Sequence, residues 1–147
     1  MSSQHISQDD VKHLINILQH LRDPNSGCPW DQAQTRISLK RNLLEECYEV
    51  LEAIDTGDPD KLSEELGDLM IQIAFLSQIS KEMELFGLYD VISKANTKLV
   101  KRHPHVFGNT KVSDAKDVEH RWDQLKKIDQ PNRSPVDTIP NELPSLA

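Results

Sequence analysis

The sequence predicts an all-α fold. Apolar residues recur at helical spacing in five stretches, no stretch alternates apolar and polar residues as a half-buried strand does, and Gly, Pro or Asp-Pro signals separate the five. The 147 residues suffice for one domain with a usable core.

The first helix is predicted from about Gln8 to Arg22, with Ser7 as its N-cap and Val11, Leu14, Ile15, Leu18 and Leu21 as its apolar stripe. Asp23-Pro24-Asn25-Ser26-Gly27 ends it, and a loop continues through Cys28-Pro29-Trp30-Asp31 to about Thr35. The second helix covers Leu39 to Thr56, with Gly57 at the C′ position. Asp58-Pro59 then opens the third helix as N-cap and first helical residue. A connection this tight makes the second and third helices an antiparallel hairpin. The third runs to about Phe86 and stops at Gly87, and the fourth spans Leu88 to Arg102, ended by His103-Pro104. Asp114 caps the fifth, Ala115 to Ile128, with Val118, Trp122 and Leu125 on one face. Beyond it Pro131, Pro135, Pro140 and Pro144 punctuate a polar stretch without helical period. Residues 1–130 are therefore expected to form the domain and residues 131–147 a Pro-rich tail or linker.

The third helix carries a further message. Leu66, Leu69, Ile73 and Leu76 lie on one side, and Ile71, Phe75 and Ile79 on another. A helix apolar on two sides is buried on two sides. Five modest helices would struggle to cover both, so a homo-oligomer is expected, a dimer or a dimer of dimers.

Bulk properties exclude several functions. The net charge is −7 and the pI near 5.3, so the basic footprint of a nucleic-acid binder is missing. No apolar run approaches the roughly 20 residues of a membrane span. The first residues show no basic region followed by an apolar one, so no secretory signal is expected. Cys28 and Cys47 form no metal-type spacing; they are expected to be reduced thiols in a cytoplasmic protein.

The chemistry lies in two acidic runs, Glu45-Glu46-Cys47-Tyr48-Glu49 and Glu64-Glu65-Leu66-Gly67-Asp68. Carboxylates at i and i+3 share a helix face. On a helical wheel Leu43, Cys47, Val50 and Ile54 centre the buried face of the second helix, with Glu46 on its flank and Glu49 just beyond. Glu45 and Glu52 point nearly the opposite way. On the third helix Glu65 flanks the apolar stripe, with Asp68 and Gln72 beside it and Glu64 farther out. Glu46, Glu49, Glu65 and Asp68 are thus expected to converge, with Glu45 as a group that orients water. Acidic runs on helices are usually solvated faces. Here the acids border apolar stripes, and Arg41 and Lys61 are the nearby bases on these segments. Crowded carboxylates at an interior edge repel each other and lose hydration. A cation reverses that penalty, and all-oxygen ligands select a hard ion, Mg²⁺ or Mn²⁺. Such an ion binds phosphates as well as carboxylates, and a polyphosphate needs counter-charges. Lys94, Lys98, Lys101 and Arg102, with Asn96, line the fourth helix and offer them. The plain alternative is a cationic helix C-terminus favoured by the macrodipole. Trp30 and Trp122 could stack on a base.

Leu43-Leu44-Glu45-Glu46-Cys47-Tyr48-Glu49-Val50-Leu51, Glu64-Glu65-Leu66-Gly67-Asp68-Leu69 and Lys98-Leu-Val-Lys-Arg-His-Pro-His-Val-Phe-Gly108 resemble the MazG-type nucleoside triphosphate pyrophosphohydrolases. So do Leu21-Arg22-Asp23-Pro24, Gly27-Cys28-Pro29-Trp30-Asp31 and Trp122 with Lys126-Lys127, and the resemblance covers about residues 10 to 130. It implies a four-helix-bundle-like domain that dimerises, with Mg²⁺ (or Mn²⁺) on Glu46, Glu49, Glu65 and Asp68. It implies hydrolysis of a nucleoside triphosphate to the monophosphate and pyrophosphate, in nucleotide-pool house-cleaning. By motif, Asn96 and Lys98 fall on the phosphate side and Trp122 near the nucleotide. The competing readings are a narrower pyrophosphohydrolase for dUTP, dCTP or phosphoribosyl-ATP, and a non-catalytic helical module that binds nucleotide or protein. Two features depart from the pattern. Cys47 stands where the family commonly has a small residue such as alanine. Ile139-Pro-Asn-Glu-Leu-Pro-Ser-Leu146 resembles the start of the linker to a second catalytic domain in two-domain members.

Overall fold

The computed structural model describes residues 8–129. Ser7 and the Pro-rich stretch lie outside them. The element order is α1 (Gln8–Leu21), α2 (Pro29–Ala33), α3 (Leu39–Thr56), α4 (Pro59–Glu82), α5 (Leu88–Arg102), α6 (Pro104–Phe107) and α7 (Ala115–Asp129), with no strand among the described residues. The chain divides into two compact units, Met1–Ser93 and Lys94–Ala147.

The first unit is organised by the α3–α4 hairpin. Gly57 adopts φ 68° and donates its N–H to Ile54 O at 3.2 Å. Asp58 Oδ1 then accepts from the N–H groups of Asp60 and Lys61, satisfying orphan donors of the new helix. The helix face that α3 turns inward runs through Leu39, Leu43, Glu46, Cys47, Val50 and Ala53. Ala53 is fully buried, whereas Ile54, expected at the centre of this face, is 55% exposed. The face is otherwise the expected one; Ala53 takes its last place because alanine adds little to an apolar stripe while marking a close helix approach.

The core gathers Leu18, Leu39, Ala74, Phe75, Ile79 and Leu88, with α1 packed along α4 through Val11, Leu14, Ile15 and Leu21. Phe75 and Ile79, on one of the two expected apolar sides, are both buried within this chain. Leu66, expected inside, is about half exposed, as are Met70 and Ile71. The two-sided character of α4 therefore runs along its length. Its second half is enclosed, and its first half keeps an uncovered apolar side.

Helix α4 ends at Glu82, short of the expected Phe86. Glu84 takes the left-handed conformation at φ 59°. Its N–H bonds Lys81 O at 2.9 Å and that of Leu85 bonds Ser80 O at 3.0 Å. This is a Schellman closure with glutamate in the place glycine usually holds. The first loop is equally specified. Asp23 Oδ1 accepts from Asn25 N and Ser26 N at 2.9 Å, and a Cβ on Gly27 would collide with the carbonyl oxygens of Leu21 and Asp23. Arg22 pins this loop to α4. Its Nε and Nη2 donate to the Glu82 carboxylate at 2.7–2.9 Å, and its Nη1 donates to Asp31 O and Gln34 O. The guanidinium also lies over the Phe75 ring, 5.6 Å from its centroid.

The hydrogen bond from Arg22 holds the Glu82 carboxyl below its ordinary value of 4.5. A depressed carboxylate pKa contributes stability above the unfolded value and loses it as pH falls through the folded one. Arg22→Met is therefore expected to cost about 2 kcal/mol at pH 7, the scale of hydrogen bonds to a charged group. The difference from wild type should shrink below about pH 4, leaving the part due to the two carbonyl bonds. Urea unfolding at both pH values checks this.

The second unit holds the later part of α5 with α6 and α7. Asp114 caps α7 as expected, its Oδ1 accepting from Asp117 N at 2.9 Å, and Asp117 Oδ2 accepts from Ser113 N. No helix of the described residues is long and apolar enough to cross a membrane.

Candidate metal centre

The hairpin brings Glu46 and Glu49 of α3 against Glu65 of α4, with one carboxylate oxygen from each lying within 4.8 Å of the others. The register explains it. With Gly57 and Asp58 as the turn, a residue on α3 faces one about equally far along α4. The i, i+3 pair Glu46 and Glu49 thereby meets the stretch holding Glu65 and Asp68. Glu46 and Glu65 are partly buried and Glu49 is exposed, so the cluster opens on one side.

The electrostatics are unfavourable without a counter-ion. Burial pushes the Glu46 carboxyl up, and Glu49, Asp68 and Glu65 push it further. Burial also raises Glu65, helped by Glu49, Glu64 and Asp68, with Lys61 opposing. Glu46 Oε2 is shut off from solvent and has no hydrogen-bond partner. The two expected bases are engaged with other acids, Arg41 with Glu45 at 2.9 Å and Lys61 with Glu52 at 3.4 Å. Three closely spaced carboxylates, one with a buried unpartnered oxygen, fit a hard divalent cation that takes oxygen ligands.

Of the expected quartet, Glu46, Glu49 and Glu65 come together. Asp68 lies near enough to act on Glu46 and Glu65 but outside the tight group. Glu45 is exposed on the far side of α3, tied to Arg41. Gln72 gains weight that its type alone did not give it. It sits one turn beyond Asp68 on α4, and its Oε1 is buried without a partner. The i, i+4 spacing from Asp68 was the available signal.

In the second unit Lys94, Asn96 and Lys98 are exposed on α5. Arg102 is turned inward, its side chain only 10% exposed. Its guanidinium carbon lies 5.4 Å from the centroid of the Trp122 ring. Trp122 is partly buried, and His103 meets it edge-on at 4.9 Å. Lys101 and Arg102 both reach Asp129 at the end of α7. Trp30 is 54% exposed on α2.

A family profile described as MazG nucleotide pyrophosphohydrolase domain matches residues 34–107, which include α3, α4, α5 and the carboxylate cluster. Protein YabN of Bacillus subtilis (strain 168) is 46% identical over 134 residues, covering 90% of this chain and 27% of YabN. A nucleoside triphosphate pyrophosphohydrolase of Escherichia coli (strain K12) is 40% identical over 141 residues, 94% of this chain and 54% of that protein. The chain thus spans about half the length of the E. coli relative and about a quarter of YabN. Among solved structures, the mazG-related protein from Thermotoga maritima superposes with a TM-score of 0.63 at 29% identity, covering 79% of this chain and 98% of that one. With that profile matched over half of its residues, the chain belongs to the MazG nucleotide pyrophosphohydrolase domain family.

Proposed function

We propose that this chain hydrolyses nucleoside triphosphates between the α- and β-phosphates, releasing the monophosphate and pyrophosphate, with Mg²⁺ as its ion and Mn²⁺ as a substitute. The observation that carries the reading is the Glu46–Glu49–Glu65 cluster with its buried, unpartnered oxygen. Glu46, Glu49 and Glu65 would hold the ion, with Asp68 completing the set. The bound ion supplies charge neutralisation and Lewis acidity at phosphoryl oxygens. Glu45, exposed and paired with Arg41, is assigned by motif to orienting water rather than to the ion. Lys94 and Lys98 hold phosphate oxygens, Asn96 orients a phosphate or sugar oxygen, and Trp122 covers the base. The E. coli relative named as a nucleoside triphosphate pyrophosphohydrolase supports this class of reaction. Nucleotide-pool house-cleaning in the cytoplasm is the role that suits it.

We also propose self-association, as a dimer or a dimer of dimers. Leu44, Tyr48 and Leu51 form an exposed i, i+4, i+7 stripe on α3, and Leu66, Met70 and Ile71 are exposed on α4. Exposed apolar side chains grouped along a helix are the mark of an interaction face. Light scattering showing a monomer at micromolar concentration would refute it.

Pyrophosphate release across canonical and damaged (d)NTPs with Mg²⁺ tests the activity. Within that panel Lys98→Ala is expected to lower kcat/KM for every nucleotide alike, by roughly tenfold, because an ammonium reads phosphate and not base. Wild-type kcat/KM in Lys98→Ala would place the phosphates elsewhere.

A further inference from the structure

Gln72 lies on the face of α4 that meets α3, between the carboxylate cluster and the core. On one side of it Glu65 meets Glu46 and Glu49. On the other, Phe75 of α4 and Leu39 of α3 share the core. The antiparallel register that brings both sets together puts Gln72 across from Leu43, with Glu46 one turn nearer the cluster.

Side chains on a helix lean toward its N-terminus. Gln72 therefore leans back over Asp68, toward the cluster. Helix α3 runs the other way, so Glu46 leans toward Gln72. Each carries an oxygen that is shut off from solvent and has no hydrogen-bond partner, Glu46 Oε2 and Gln72 Oε1. Among the described residues they are the only buried side-chain oxygens in that state. Two acceptors cannot satisfy each other. Leu43 and Leu69, which flank this layer on the two helices, bring no polar side chain to it. A buried acceptor left unpaired is costly, and two in one layer point to a shared donor. A water held on a divalent ion has two protons to give, and Mg²⁺ keeps several of its waters when it binds carboxylates.

We propose that Gln72 is a positioning residue for the ion: its Oε1 accepts a hydrogen bond from a water on the ion and, with Glu46 Oε2, fixes that water at the inner end of the cluster. The inference rests on the reading of the cluster as a metal centre and adds an uncharged member to a carboxylate set. An amide suits that place, because it accepts a hydrogen bond without adding charge to crowded carboxylates.

The test measures ion binding on nucleotide-free protein, Mg²⁺ by calorimetric titration and Mn²⁺ by loss of its free EPR signal, beside thermal unfolding in EDTA. Gln72→Met keeps the length of the side chain and removes the acceptor. It is expected to weaken both ions by roughly tenfold or more, the range for a lost outer partner of a metal site. It should melt in EDTA no lower than wild type, since a buried unpaired acceptor is gone. Gln72→Glu keeps the acceptor and adds charge. It should bind at least as tightly as wild type and melt lower in EDTA, because one more carboxylate joins the cluster. Wild-type affinity in Gln72→Met, with or without a lower melting temperature, makes Gln72 a packing residue and overturns the proposal. Weaker binding in Gln72→Glu than in Gln72→Met also overturns it. If Gln72→Met does not melt cooperatively, Gln72→Asn withdraws the same amide by one methylene. The same loss of affinity is then expected, and unchanged affinity overturns the proposal. Wild-type protein that binds neither ion overturns the metal-centre reading and this inference together; tight binding by wild type and Gln72→Met alike overturns this inference alone.

Discussion

Glu46→Gln is expected to lower pyrophosphate release by at least about a hundredfold, and Asp68→Asn to act in the same direction, the scale of removing one preorganised electrostatic group from phosphoryl chemistry. Glutamine has the shape of glutamate, so the hairpin is kept. What changes is charge at the one member of the cluster with a buried, unpartnered oxygen. The same substitution should stabilise the protein in EDTA. Burial and Glu49, Asp68 and Glu65 all disfavour the Glu46 carboxylate. A neutral carboxamide relieves that repulsion. Saturating Mg²⁺ should reverse the order of melting temperatures, since only the wild type gains the full linkage to the ion. An active Glu46→Gln enzyme, or one that melts lower than wild type in EDTA, would remove Glu46 from the centre of the site.

Phe75→Asp is expected to abolish cooperative unfolding of the first unit, and Phe75→Ala to cost about 3–5 kcal/mol. Phe75 is 4% exposed among Leu18, Leu39, Ala74, Ile79 and Leu88, under the Arg22 guanidinium. A loss of that size is a large share of the 5–15 kcal/mol that typically holds a domain together. A buried, unpaired carboxylate adds desolvation to the cavity. Ile71→Asp, four residues earlier and exposed, provides the contrast. It should leave urea unfolding of the isolated chain nearly unchanged and weaken self-association. If Phe75→Asp unfolds like wild type and only dissociates an oligomer, the core described above is wrong.

The hairpin and the acidic cluster were legible in the sequence because each rests on local chemistry. Gly57, Asp58 and Pro59 state a helix end and a helix start, and the structure places them so. The i, i+3 carboxylates then need only the antiparallel register to meet. The end of α4 was not legible. Glu84 occupies a left-handed position that its side chain disfavours, held by two backbone hydrogen bonds that no residue type announces. The short helices α2 and α6 are too brief to show periodicity, although Pro29 and Pro104 sit at their first positions. The last turn of the inward face of α3 was read through Ile54 instead of Ala53 because alanine carries little apolar weight. Which stretch of α4 this chain covers by itself was not legible, because a helical wheel records direction around an axis and says nothing of how far along it a neighbour extends. Arg102 was legible as a cation near a helix end but not as a partner of Trp122 and Asp129, since that depends on contacts some twenty residues apart.

The account's central claim is that the carboxylate cluster binds a divalent cation and that the bond broken lies between the α- and β-phosphates. ³¹P NMR of a nucleoside triphosphate incubated with the protein tests it most directly, with Mg²⁺ and then with EDTA. The predicted spectrum gains nucleoside monophosphate and pyrophosphate with Mg²⁺ and stays unchanged in EDTA. Nucleoside diphosphate with orthophosphate, or the same products at the same rate in EDTA, would contradict it.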